Sequence, residues 1–268
     1  MAGRGTQWRY VVPSLLTCTS IALAFFSVAE AVSRRFESSA WLILLCVLLD
    51  KADGTAARLL KASTRFGVEL DSLSDLIAFG VAPAVLVLSV LAEPPGGLVA
   101  AVPYYGYLVY ASCALYVVAA ALRLAKYNIV TEEYGNTHFF GIPTTAVGAL
   151  VCCFYLTVRK YELSPVCIQA LPLVMVFFAL LMVSRIPIRK IGVRRNLPGN
   201  IFLFGNVFFV YLFGILRLFP EYLLSAGLLY TVGGSIWATA AGVRQPSPTQ
   251  ETAETGPSGA LTAPEDLP

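Results

Sequence analysis

The sequence predicts an all-α integral membrane protein with about eight transmembrane helices. Three observations carry this reading. Of 268 residues, 57% are hydrophobic and only 13% charged; the mean hydropathy is +0.72, far above that of an ordinary soluble domain; and apolar runs of roughly 17 to 25 residues, the length that crosses a bilayer as helix, recur along the chain. A net charge of +3 without any basic run interleaved with aromatics argues against nucleic acid as a partner.

The first run, about 12–32, follows a short segment, 1–11, expected in the cytoplasm. Basic residues before the run and small residues at Ala29 and Ala31 have the look of a signal peptide. Its apolar core is longer than a usual signal h-region, so it is expected to remain as a helix. The second run, 41–60, ends in Asp50, Asp53 and Arg58, and the third, 68–91, begins with Asp71 and Asp75. Further runs cover 104–125, 142–158, 166–183 and 201–216, and Pro220 separates the last of these from 222–241. The polytopic domain therefore spans 12–242. The tail 243–268 is rich in Pro, Ser, Thr and Glu, too poor in apolar residues to fold, and is expected to be disordered.

Basic residues in the connections set the orientation. With the N-terminus inside, all of the nineteen Lys and Arg residues except Arg34, Arg35, Arg159, Lys160 and Arg217 fall on the inner side. Both termini and the aspartate stretch are then cytoplasmic. The basic connection containing Arg185, Arg189, Lys190, Arg194 and Arg195 is suited to anionic headgroups, or serves only as a topology determinant.

The six cysteines (Cys18, Cys46, Cys113, Cys152, Cys153, Cys167) lie in apolar segments without CxxC spacing, and His138 is the single histidine. A zinc site is therefore not expected. Any metal centre must use oxygen ligands, which points to the aspartates.

On a helix each residue advances about 100°, so Asp50, Asp53, Gly54 and Ala57 share a face with Arg58 at its edge, and Asp71 and Asp75 share another. A short basic connection turns the chain between them, which lets two pairs of carboxylates converge at the inner membrane surface. An unpaired charge at membrane depth costs on the order of 2.5 to 3.5 kcal/mol on insertion scales, and such groups usually mark a site. Divalent cations remove both that cost and the mutual repulsion, and hard cations such as Mg²⁺ prefer oxygen ligands and complete their shells with substrate phosphates. The plainer alternative is pairing of the acids with Lys51 or Arg58; four acids at two helical spacings exceed what such pairing needs. Gly54 and Gly67 allow close approach of a ligand or of a neighbouring helix.

Asp50, Asp53-Gly54, Ala57-Arg58, Gly67, Asp71 and Asp75 reproduce D-x-x-D-G-x-x-A-R-x8-G-x3-D-x3-D, and on this signature the chain resembles the CDP-alcohol phosphotransferases. The resemblance implies membrane enzymes, usually homodimers, in which a core corresponding to the first six helices binds two divalent cations, Mg²⁺ or Mn²⁺, and a CDP-linked alcohol. It implies Asp50, Asp53, Asp71 and Asp75 as metal ligands, Asp75 also as general base, and Gly54, Ala57, Arg58 and Gly67 as the CDP-lipid pocket. The stretches "RFGVELDSLSDLIAFGVAPA", "ALRLAKYNI" and "FFGIPTTAVGA" resemble the phosphatidylserine synthase branch, which implies CDP-diacylglycerol and L-serine as substrates and transfer of a phosphatidyl group to the serine hydroxyl. Departures occur at Ser14, Ser20, Leu73, Ser74, Lys126, Thr144 and Thr145.

A serine acceptor needs partners for its carboxylate, for which Arg123 and Lys126 are candidates, and for its ammonium, for which Glu69 is one. Glycerol 3-phosphate, inositol or inositol phosphate are alternative acceptors, and Arg185 and Arg189 are available for a phosphorylated one. A cation transporter is the rival outside enzymology. Transporters more often place their acids at mid-membrane in broken helices or inverted repeats, whereas these acids sit at helix ends and no repeat is found. The enzyme is expected in the membrane with its site on the cytoplasmic face, in the inner membrane if the source is bacterial.

Overall fold

The computed structural model describes residues 8–60, 64–92, 102–134, 139–184, 187–188 and 197–236. His138, Lys61, Arg185, Arg189, Lys190, Arg194, Arg195 and the tail 243–268 lie outside the described residues.

Helices form in every apolar run. They are α1 (Trp8–Val32), α2 (Phe36–Leu59), α3 (Arg65–Asp75) and α4 (Ala82–Ala92), the last two joined by a π-helical turn at Leu76–Val81. Then come α5 (Pro103–Tyr134), α6 (Thr144–Lys160), α7 (Pro165–Gln169), α8 (Leu171–Val183), α9 (Leu197–Leu216) and α10 (Pro220–Leu228), which ends in a second π-turn, Leu229–Gly233. The all-α class holds with one addition. Two residues, Phe139–Phe140 (β1), pair antiparallel with Pro187–Ile188 (β2) and tie the connection before α6 to the one after α8.

Three described segments are long and apolar enough to span a membrane: Val11–Val32, Arg65–Ala92 and Tyr104–Ile129; Leu171–Val183 and Gly205–Leu216 are shorter apolar helices. The protein is accordingly a membrane protein. The sixth expected run is divided at Ala170, which caps α7 and precedes Pro172 in the first turn of α8.

Small residues set the packing, as is usual where lipid removes the hydrophobic drive between helices. Ala24, Ala31, Ala40, Ala78 and Ala82 are fully buried in a cluster that joins α1, α2 and α4. Ser27 and Ser39, also fully buried, hydrogen-bond to one another across α1 and α2 at 3.0 Å. A second cluster joins α4, α5, α6 and α8 around Val109, Val147 and Met175. The helix α10 lies against α6, and a Cβ on Gly227 would come within 3.0 Å of Leu150. Large apolar side chains on α5 such as Tyr107 and Val118 point outward, as lipid-facing positions do.

This stacking brings one end of the bundle together: the N-terminal part of α1, the end of α2, α3, the C-terminal part of α5 and the start of α6. The connection from α2 to α3 is short, and Thr64 caps α3 by accepting a hydrogen bond from the Gly67 amide at 3.0 Å. Such a cap satisfies one of the free amides of a first helical turn.

Candidate active site

The last turns of α2 and the second half of α3 carry the acids. Oxygens of Asp50, Asp53 and Asp71 all lie within 4.8 Å of one another, close enough to share a metal ion. Asp53 is buried, and Asp50 and Asp71 are half-buried. Among the described residues these three carboxylates form a hard, oxygen-only donor set, which fits Mg²⁺, Mn²⁺ or Ca²⁺ better than zinc.

Asp75 stands one turn beyond Asp71 and outside the three-oxygen cluster. It remains near enough to interact electrostatically with Asp50, Asp71, Lys51 and Arg123. Asp53 accepts a hydrogen bond from Thr17 Oγ1 of α1 at 3.0 Å, a buried contact 36 residues apart in sequence. Lys51 donates to Asp50 Oδ2 at 2.9 Å. Among the described residues the pairing alternative is therefore met at Asp50 alone, and Arg58 instead donates from Nη2 to Thr55 Oγ1 at 3.4 Å.

The residues expected to hold the CDP moiety line the same helix end. Nothing lies within 4 Å of where a Gly54 Cβ would stand, so this glycine fronts open space of the kind that a ligand can enter. Ala57 is half-buried and Arg58 exposed. Gly67 is held by its cap, and a Cβ there would press on Thr64 Oγ1 at 3.1 Å.

The two acceptor candidates separate sharply. Arg123 is only 9% exposed; its Nη1 donates to Thr144 Oγ1 at 3.1 Å, its guanidinium lies 5.5 Å from the centre of the Tyr127 ring, and its buried Nε has no hydrogen-bond partner among the described residues. Lys126 and Glu69 are exposed. Arg123 is thus an interior cation within electrostatic reach of Asp75 and Asp50, with its Nε left over for a ligand among the described residues. Thr144, a departure from the resembled pattern, supplies the hydroxyl that orients it.

Sequence reasoning missed three contacts. Thr17 reads as an ordinary hydroxyl in an apolar run, although a polar residue at that depth is itself a signal. Asn128 Nδ2 donates to Ser72 Oγ at 2.9 Å, joining α5 to the turn between Asp71 and Asp75. Tyr116, fully buried, donates its hydroxyl to the Phe79 carbonyl at 2.7 Å.

A sequence model of the CDP-alcohol phosphatidyltransferase family matches residues 10–186. Among curated relatives, a CDP-diacylglycerol–serine O-phosphatidyltransferase of Helicobacter pylori is 37% identical over 153 residues, 57% of this chain and 60% of the relative. One of Bacillus subtilis with the same name is 33% identical over 138 residues, 51% of this chain and 71% of the relative. An archaetidylserine synthase of Methanothermobacter thermautotrophicus is 30% identical over 177 residues, 65% of this chain and 68% of the relative. The chain spans about 60% of the length of the Helicobacter relative that it matches.

Proposed function

This chain belongs to the CDP-alcohol phosphatidyltransferase family, and on that premise we propose that it transfers the phosphatidyl group of CDP-diacylglycerol to the hydroxyl of L-serine, releasing phosphatidylserine and CMP. The observation that carries the reading is the meeting of Asp50, Asp53 and Asp71 within 4.8 Å beside the buried Arg123. A metal-fit carboxylate set and a cation suited to a carboxylate-bearing acceptor share one end of the bundle. The names of the relatives point to the same acceptor.

Asp50, Asp53 and Asp71, joined by Asp75, would hold two divalent cations, Mg²⁺ or Mn²⁺. When bound, these ions supply positive charge against the diphosphate and the departing CMP. Arg58 is suited to the diphosphate through its planar fork of donors, and the open flank at Gly54, with Ala57 and Gly67, admits the CDP group. Arg123, through its free Nε, receives the serine carboxylate; Lys126 lies one turn further out. Asp75 takes the proton from the serine hydroxyl as that oxygen bonds to the lipid-bearing phosphorus. The bond from that phosphorus to the CMP oxygen breaks, and CMP leaves with the electron pair. Most of the rate gain then comes from positioning and fixed charge. The site belongs on the cytoplasmic side, where both substrates meet the membrane, and the working unit is a homodimer.

The test is direct: purified protein in detergent with CDP-diacylglycerol, Mg²⁺ or Mn²⁺ and each labelled acceptor in turn. CMP release that depends on serine is expected. Release only with glycerol 3-phosphate or an inositol overturns the acceptor, and no release with any of them overturns the transferase reading.

A further inference from the structure

The helix that carries Asp71 and Asp75 is not regular. Over Leu76–Val81 it widens into a π-turn, in which the Ala82 amide donates to Ile77 O, five residues back. The cause is written at Pro83. Proline has no amide hydrogen and its ring crowds the carbonyl four residues earlier, here that of Phe79. Tyr116 of α5 donates to this carbonyl at 2.7 Å, with its side chain fully buried. Gly148 of α6 also packs against Phe79: a Cβ there would stand 3.1 Å from Phe79 Cβ.

A π-turn absorbs roughly one residue more than an α-turn and so shifts the phase of everything before it by about 100°. The buried face of α4 is centred near Pro83 and Val87. In an unbroken α-helix Asp75, eight residues before Pro83, would point about 80° away from that face. With one residue absorbed, the difference falls to about 20°. The wide turn therefore lets one helix bury the face of α4 and still aim its acids into the bundle end that holds Asp50 and Asp53.

We infer that Tyr116 is a positioning residue of the active site: by holding the Phe79 carbonyl it locks the π-turn, and the locked turn sets the rotational phase of Asp71 and Asp75. The inference rests on the carboxylate site proposed above. It does not depend on which alcohol is the acceptor.

The experiment uses Tyr116→Phe, Pro83→Ala and the double variant in the full chain, with three readouts: melting temperature in detergent, Mn²⁺ affinity by electron paramagnetic resonance, and the KM and kcat of CMP release. For Tyr116→Phe, a kcat about tenfold lower is expected, with both KM values within twofold and weaker Mn²⁺ binding. In the double variant, Pro83→Ala returns an amide hydrogen to the Phe79 carbonyl. Melting temperature is then restored while turnover and Mn²⁺ affinity stay low, because the phase is lost. Recovery of all three would show that Tyr116 only satisfies a buried carbonyl, and wild-type values in Tyr116→Phe would likewise overturn the inference. If Tyr116→Phe alone does not fold, the double variant gives the decisive measurement. Mn²⁺ affinity separates this inference from the proposed function, since wild-type protein that binds Mn²⁺ but transfers to no acceptor would sink the latter alone.

Discussion

Thr17 Oγ1 of α1 lies 3.0 Å from Asp53 Oδ2 of α2, and the contact is buried. The same hydroxyl lies 3.0 Å from its own helix at Pro13 O, so its single hydrogen is shared between a helical carbonyl and the acid. A hydrogen bond to a charged group is worth about 1.5–3 kcal/mol, and it fixes which Asp53 oxygen is left for a metal. Thr17→Val should loosen Mn²⁺ binding by roughly tenfold, each 1.4 kcal/mol being one decade, whereas Thr17→Ser should stay near wild type. A titration of Mn²⁺ followed by electron paramagnetic resonance decides it; equal affinities in all three proteins would remove Thr17 from the site.

Lys51 acts in the other direction. Its ammonium holds Asp50 Oδ2 at 2.9 Å, with the lysine side chain 59% and the aspartate 13% exposed. With its lysine end open to solvent, such a pair is worth on the order of 1 kcal/mol, and a cation arriving at Asp50 must displace it. Lys51→Met should therefore tighten metal binding by no more than about fivefold at low salt, and the gain should fade as ionic strength rises. Isothermal titration at two salt concentrations measures both. Weaker binding in Lys51→Met would mean that the lysine supports the site instead of competing for it.

The two-helix carboxylate site was legible in the sequence because charge stands out in an apolar run. Asp50, Asp53 and Asp71 needed only helical spacing and a short turn to be brought together. The split between Arg123 and Lys126 was not legible, since residues three apart on a helix look alike until α6 packs against one of them and Thr144 takes its Nη1. The π-turn was hidden for a different reason. "DLIAFGVAPA" reads as one continuous apolar helix, and Pro83 alone hints at the break, whereas the Tyr116 hydroxyl that settles it comes from another helix 37 residues on.

Asp75 stands apart from the three-oxygen cluster, and its proposed task is to take a proton. Asp75→Asn keeps the shape and an oxygen but cannot accept a proton at neutral pH. The expected result is Mn²⁺ affinity within about threefold of wild type and turnover lower by at least 10²-fold, the usual reach of a general base. Measured side by side, near-normal turnover would end the base role, and lost Mn²⁺ binding would recast Asp75 as chiefly a ligand.

Arg123 offers a buried Nε with no hydrogen-bond partner among the described residues, a costly arrangement unless a ligand completes it. Substituting Lys retains the charge and loses the fork. Arg123→Lys should raise the KM for serine at least tenfold while leaving that for CDP-diacylglycerol within twofold. Initial rates with each substrate varied in turn give both constants. A rise confined to CDP-diacylglycerol would reassign Arg123 to the donor.

Gly141 makes that arginine's setting possible. Its φ is +78°, in the left-handed region that glycine alone enters freely, and a Cβ there would stand 2.3 Å from Met182 O and 3.1 Å from Ser184 O. The backbone passes this close because Phe139–Phe140 pairs with Pro187–Ile188 and the Ile142 amide donates to Leu181 O at 3.3 Å. Together these contacts seat the start of α6, and with it Thr144, against α8. Gly141→Ala adds left-handed strain of order 1–3 kcal/mol to a backbone clash that cannot relax by moving a side chain. A melting temperature lower by about 4 °C or more follows from the size of the chain, together with a higher KM for serine as Thr144 loses its place beside Arg123. A variant that melts lower but keeps the wild-type KM for serine would show that Gly141 only holds the fold, and that the setting of Arg123 does not pass through the start of α6.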